Sequence, residues 1–265
     1  MSRIAESFAR LRAEGRRALI PFVMAGDPDI NATRDLLVEL SRSGADLIEV
    51  GVPFSDPVAD GPVIQSAGAR ALRNGVTVSQ VLRVVGEARE AAGAAVVLFS
   101  YFNPLLRFGV ERLAAEARAA GVDGVLVTDL PPEGAADFES AMRRGGLDSI
   151  YLAAPTSTDE RLGLIARRAT GFIYAVSRAG VTGARNEVSA EAEALVARLR
   201  RFTDLPVAVG FGISDARQVA EVWRYADAAV VGSAIVAEIE RHAGAPDLAG
   251  RVGEFTRGLL PAGSR

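Results

Sequence analysis

The sequence predicts an α/β protein, a single (β/α)8 TIM barrel with an extra N-terminal helix and a short extra helix after strand eight. Three observations carry that prediction. Short apolar runs alternate eight times with longer amphipathic stretches, at intervals of roughly 25 to 35 residues, the period of a βα unit. The 265 residues suit the length of about 250 that such a barrel needs. No Gly/Ser/Pro-rich linker divides the chain, so residues 1–265 read as one barrel domain. The competing architecture is an open doubly wound sheet, but no G-x-G-x-x-G follows the first strand, where a dinucleotide fold would carry it.

In chain order, residues 1–12 are Arg-rich and amphipathic and predict a leading helix. They lack the apolar core of a secretory signal, and Glu6 and Glu14 argue against a transit peptide, so a cytoplasmic location is expected. Strands are predicted at 18–23, 46–50, 94–99, 124–127, 149–152, 171–175, 206–209 and 228–231. Helical spacing of apolar residues predicts helices at 32–40, 78–91, 110–119, 133–144, 159–168, 190–201 and 216–224, with a short extra one at 233–240. The phrases Arg42-Ser-Gly-Ala-Asp46 and Ala119-Ala-Gly-Val-Asp123 recur between helix end and strand, and Gly suits the left-handed stop of a helix. The loops after strands two and six are longer than βα loops usually are, and they lie at the strand C-termini, the end of a barrel where function collects.

Composition narrows the chemistry. The chain is 49% hydrophobic with a formal net charge of -3, which fits a large core and argues against nucleic-acid binding. No apolar stretch approaches the roughly 20 residues of a membrane span. There is no Cys, one His and no Lys, so all 30 basic residues are Arg. Thiolate nucleophiles, Schiff-base lysines and covalently held pyridoxal phosphate are therefore excluded. His242 sits in a polar stretch near the C-terminus and reads as a solvated residue of a helix.

The second predicted strand carries Glu49 next to its last residue, and alternation places it on a buried face with Leu47, opposite Ile48 and Val50. A carboxylate there is costly without a partner or a task, and no predicted strand carries an Arg. A Glu without a cation in a barrel mouth should hold a raised pKa, in the range useful for moving protons. Asp60 closes the following loop; taken alone it reads as a turn residue before Gly61. Asp56 reads as structural or as a surface contact, and Asp27 and Asp129 as supports at the same end. Glycine-bearing turns follow the last three strands, at 179–183, 209–214 and 231–235. Glycines at a helix start let an oxyanion approach backbone N–H groups, so Gly183, Gly212, Gly232 and Ser233 form a candidate phosphate cup without a cationic side chain. Two acids facing such a cup predict proton transfer on a small phosphorylated substrate. Breaking a carbon–carbon bond there would need a substrate that holds the electrons itself, because no lysine imine or His-bound zinc site can be assembled.

The run EVGVPFSDPVADGP at 49–62 resembles the signature of the tryptophan synthase α-subunit family. PFVMAGDP at 21–28, SYFNP at 100–104, TDLPP at 128–132, APTS at 154–157, SRAGVTG at 177–183 and GFGIS at 210–214 extend the likeness, in order, over nearly the whole chain. The resemblance implies reversible retro-aldol cleavage of indole-3-glycerol phosphate to indole and glyceraldehyde 3-phosphate. It implies that Glu49 protonates the indole C3 and takes the glycerol hydroxyl proton, while Asp60 hydrogen-bonds the indole N–H. Phe22, Tyr174 and Phe211 would line the indole pocket, and Thr182 would help close the loop after strand six over Asp60. The phosphate would rest on the backbone of Gly183, Gly212, Gly232 and Ser233.

The same resemblance implies an α2β2 complex in which indole passes to a β subunit that carries pyridoxal phosphate; this chain would need no cofactor and no metal. Pro53, Asp56 and Pro57, with Asn103 and Pro104, would face that partner, and neither nucleic acid nor membrane is expected to bind. Met24 stands where the family commonly has Thr, and Arg178 occupies a variable place near the lid. The rival readings are a stand-alone indole-3-glycerol-phosphate lyase, a phosphate-binding isomerase or prenyltransferase, and a binding subunit without activity.

Overall fold

The computed structural model describes residues 2–176, 190–210, 212–261 and 263. Among them, eight parallel strands close into a barrel in chain order. They are β1 (Ala18–Met24), β2 (Leu47–Gly51), β3 (Ala95–Ser100), β4 (Gly124–Val127), β5 (Asp148–Ala153), β6 (Ile173–Val176), β7 (Val207–Gly210) and β8 (Ala228–Val231). Pairing of Ala18 through Pro21 with Ala228 through Val231 shuts the ring. Each strand begins and ends within two residues of the expected span.

The helices are α1 (Arg3–Ala13), α2 (Ile30–Arg42), α3 (Pro62–Arg73), α4 (Val78–Ala88), α5 (Phe102–Phe108), α6 (Val110–Ala120), α7 (Ala136–Gly145), α8 (Asp159–Arg168), α9 (Ala190–Leu199), α10 (Ala216–Val222), α11 (Ser233–Arg241) and α12 (Leu248–Leu259). Three of them, α3, α5 and α12, are not among the helices predicted above. The helix expected at 133–144 divides into a 3-10 turn at Pro132–Gly134 and α7. His242 is not inside a helix but follows α11, half-buried, with Nε2 2.9 Å from Glu238 Oε1. The nearly buried Glu238 draws the ring in from solvent.

Alternation along the strands builds two cores. Inward residues Ile20, Leu47, Val97, Leu126, Ile150 and Val230 fill the barrel, and Ile4, Phe8 and Leu11 of α1 join them. α1 is thus a stopper under the barrel, its Phe8 ring 5.9 Å from that of Phe172. Outward residues such as Leu19, Ile48, Val50 and Leu98 pack against the helices.

The repeated phrases ending in Asp46 and Asp123 have a structural task at the same floor. Asp46 Oδ2 accepts the Leu19 N–H at 3.1 Å, and Asp123 Oδ2 accepts the Val96 N–H at 2.8 Å. Thr170 Oγ1 does the same for the Ser149 N–H at 2.8 Å, and Asp227 Oδ2 for the Val207 N–H at 2.8 Å. A side chain just ahead of each even strand therefore ties down the start of the odd strand before it. These amides lie at the strand entrances, where an unpaired buried N–H is costly.

Candidate active site

Glu49 lies mid-way along β2, its Cα in register with Phe22 of β1 and Val97 of β3. It is 1% exposed, and its Oε1 has no hydrogen-bond partner among the described residues. Burial alone pushes its pKa up to about 8. Among the described residues no guanidinium reaches it, which is the environment expected of an acid that keeps its proton at neutral pH. Its neighbour is Tyr174 of β6, also buried, whose hydroxyl pKa is raised by burial and by the Glu49 charge.

Two glycines make room for the aromatic side chains beside Glu49. A Cβ on Gly210 would overlap the Tyr174 hydroxyl, and one on Gly51 would come within 2.5 Å of the Phe22 ring. Phe22 meets Phe99 edge to face with centroids 5.4 Å apart, a favourable aromatic geometry. Met24 is buried, and its methyl packs toward Gly51 and Gly68 of α3, so the residue fills space beside the mouth.

Asp60 stands at the end of the loop between β2 and α3. The Tyr101 hydroxyl donates to its carboxylate and accepts the Ala59 N–H at 2.9 Å. Burial raises the Asp60 pKa to about 6, against the lowering effect of that hydrogen bond. Tyr101 is pushed up to about 12 by burial and by Asp60, so it remains a donor throughout the range in which Asp60 titrates. Phe54 packs on the Tyr101 ring at 5.1 Å. From the α3 side, Gln65 Nε2 donates to the backbone O of Asp60 at 2.9 Å and of Pro57 at 3.3 Å. The loop is held from both flanks. Tyr101 and Gln65 were not singled out from the sequence, although SYFNP places Tyr101 just past strand three, at the same end as Asp60.

The candidate anion site begins at α11. Gly232 precedes it without a side-chain cap, leaving the first-turn amides open, and Ser233 is its exposed first residue. A Cβ on Gly232 would sit 3.8 Å from Phe22 Cβ, so this helix end abuts the aromatic wall beside Glu49. Gly212 is exposed with φ +82°, a conformation that L side chains rarely adopt, and open space surrounds the missing Cβ. Gly183, Phe211, Thr182 and Arg178 lie outside the described residues.

The remaining acids at this end are structural. Asp27, 2% exposed, takes a two-pronged bond from Arg70 of α3. Asp129 Oδ1 accepts the Phe102 N–H at 2.6 Å and so starts α5. Of the residues expected to meet a partner, Asp56 and Asn103 are exposed, Pro57 and Pro104 half-buried, and Pro53 buried. Val58 (81% exposed) and Leu106 (55%) add apolar surface beside them. A cleft of about 780 Å³ opens at the opposite end, lined among others by Ser2, Arg89, Asp123 and Asp148. Its buried acids are already engaged, Asp123 by Val96 N–H, Asp148 by the Ser2 hydroxyl at 2.5 Å and Glu139 by Arg168. Its remaining acid, Glu6, is exposed to solvent. Among the described residues, no group of three His, Cys, Asp or Glu side chains converges as metal ligands would.

Both the sequence and the fold have counterparts among known proteins. A family model described as tryptophan synthase alpha chain matches residues 8–255. A tryptophan synthase alpha chain from Solibacter usitatus is 51% identical over 259 residues, covering 98% of this chain and 97% of that one. Among solved structures, tryptophan synthase from M. tuberculosis in its aminoacrylate-bound form superposes with a TM-score of 0.87 at 39% identity, covering 98% of this chain and 100% of that one. A tryptophan synthase alpha chain from Legionella pneumophila gives a TM-score of 0.89 at 35% identity, covering 98% and 96%.

Proposed function

The chain belongs to the tryptophan synthase alpha chain family, and we propose that Glu49 and Asp60 are the residues with which it cleaves indole-3-glycerol phosphate to indole and glyceraldehyde 3-phosphate. The observation that carries this reading is a buried Glu49 on β2 without a cationic partner among the described residues, its pKa lifted to about 8.

At neutral pH Glu49 holds a proton, and it delivers that proton to the indole C3. The ring becomes cationic and can accept an electron pair. The resulting carboxylate then takes the proton of the glycerol hydroxyl next to the scissile bond. As that C–O becomes a carbonyl, the C–C bond breaks and its electrons return to the ring. Indole and the aldehyde are released with Glu49 protonated again, so the cycle balances. Asp60, ionised above about pH 6, accepts the indole N–H and stabilises the positive charge that grows there. Tyr101 keeps the carboxylate pointed, and Phe22 and Tyr174 form the apolar walls of the indole site, together with Phe211. The phosphate rests on the open amides of α11 at Gly232 and Ser233, with Gly212 and Gly183 completing the cup. Thr182 belongs to the covering loop.

The partner in this reading is a pyridoxal-phosphate β subunit in an α2β2 assembly, met through Pro53, Asp56, Pro57, Asn103 and Pro104. The exposed apolar Val58 and Leu106 on the same face support it. This chain itself is read as one cofactor-free barrel working in the cytoplasm. No helix of the described residues is long and apolar enough to cross a membrane.

The direct test is indole release from indole-3-glycerol phosphate by the purified chain and by Glu49→Gln. The parent should form indole, and the variant should fold yet lose activity by about 10³-fold or more, since no second group can carry the proton at C3. Substantial cleavage by the variant would remove Glu49 from its role.

A further inference from the structure

The rim of the site is carried by helices as well as strands. Asp60 lies two residues before α3, and the open amides belong to α11. Arg70 touches both sides of this arrangement. From the third turn of α3 its Nε and Nη2 donate to the two carboxylate oxygens of Asp27, at 2.7 and 2.9 Å. Its Nη1 donates to Glu240 Oε1 of α11 at 2.6 Å. Asp27 follows the end of β1 and is almost fully buried, whereas the Glu240 side chain is half exposed. The fork onto Asp27 fixes both the position and the plane of the guanidinium. Its third nitrogen is therefore already aimed when it meets Glu240, unlike that of a free surface arginine, whose ion pairs contribute little.

We propose that Arg70 is a positioning residue for the phosphate end of the substrate. It ties α11 to the β1–α3 frame and so sets where the α11 amides stand relative to Asp60. This rests on the reading of α11 as the phosphate site. Glu240 and Ser233 lie at opposite ends of α11, about 10 Å apart at 1.5 Å per residue. A swing of about 6° at the Glu240 end displaces the other end by about 1 Å, a misplacement large enough to be felt in binding. Arg70 touches no reacting atom, so its loss should appear in affinity for the phosphorylated partner rather than in the chemistry.

The synthetic direction separates the two, because indole and glyceraldehyde 3-phosphate each have their own KM. Arg70→Lys keeps the charge and loses the fork; its KM for glyceraldehyde 3-phosphate should rise by about tenfold while kcat and the KM for indole stay within about twofold. Glu240→Gln alters an exposed carboxylate, leaves the buried pair intact and should give a rise of about threefold with the same selectivity. Inorganic phosphate should compete with glyceraldehyde 3-phosphate in the parent and bind correspondingly more weakly to both variants. Equal losses in both KM values, a fall in kcat alone, or unchanged phosphate inhibition would overturn the role of Arg70 while leaving the phosphate cup standing. Failure of phosphate to compete in the parent would remove the cup itself, and the inference with it.

Discussion

Burial raises the Glu49 pKa to about 8, with no cation reaching it among the described residues, and two measurable consequences follow. In the proposed mechanism, cleavage by the free enzyme needs Asp60 ionised and Glu49 protonated. The kcat/KM profile should therefore rise through about pH 6 and fall through about pH 8. A profile flat from pH 5 to 9 would count against both assignments. The second consequence concerns stability. The folded pKa of Glu49, about 8, lies above the ordinary 4.5, so the native state binds the proton more tightly than the unfolded chain does. The cost of ionising it in place is absent below pH 4.5, grows as pH rises and is complete above about 8, where it reaches at most about 5 kcal/mol. Glu49→Gln should melt higher than the parent at pH 9, and the gap should close toward pH 4. Denaturant titrations at the two pH values measure it; a gap independent of pH would mean that Glu49 is not forced to ionise where it is.

At the scale of elements, the barrel depends on side chains that reach from one strand to the amides of another. Asp123→Ala removes the acceptor of the Val96 N–H and should cost about 2 kcal/mol of unfolding free energy, read from the urea midpoint, with little change in KM. Gly210→Ala addresses the other end: its methyl would collide with the Tyr174 hydroxyl, so indole affinity should drop several-fold while the fold survives, as an indole titration would show. The alternation of strands, the helix stops and the isolated acid in an apolar run were all legible in the sequence, because each is a local pattern. What was missed is nonlocal. α5 has Tyr101 at its N-cap position, with no side-chain cap bond of its own, and draws its cap from Asp129, beyond β4, so its own sequence gives a weak start signal. α12 carries three glycines, which weaken the helical pattern, yet Gly253 is where Ser43, just past the end of α2, comes within 2.7 Å of a would-be Cβ. Tyr101 was visible as part of a motif, but its bond to Asp60 needed the loop geometry to be found. The same holds for Asp27, whose partner Arg70 lies 43 positions away in sequence.

For the whole molecule, the question is whether the chain works alone. The exposed residues around Val58, Asn103 and Leu106 face solvent beside the loop that holds Asp60. Covering them would press on that loop, so adding a β subunit should raise the rate of indole formation by about tenfold or more through better placement of Asp60. Equal rates with and without the partner would favour an independent lyase. The direction of traffic follows from α1. With Ile4, Phe8 and Leu11 wedged beneath the strands, the barrel behaves as a corked vessel, and an apolar product released inside it meets a wall below. Its way out runs upward, past Asp60, toward the side on which a recipient would be waiting.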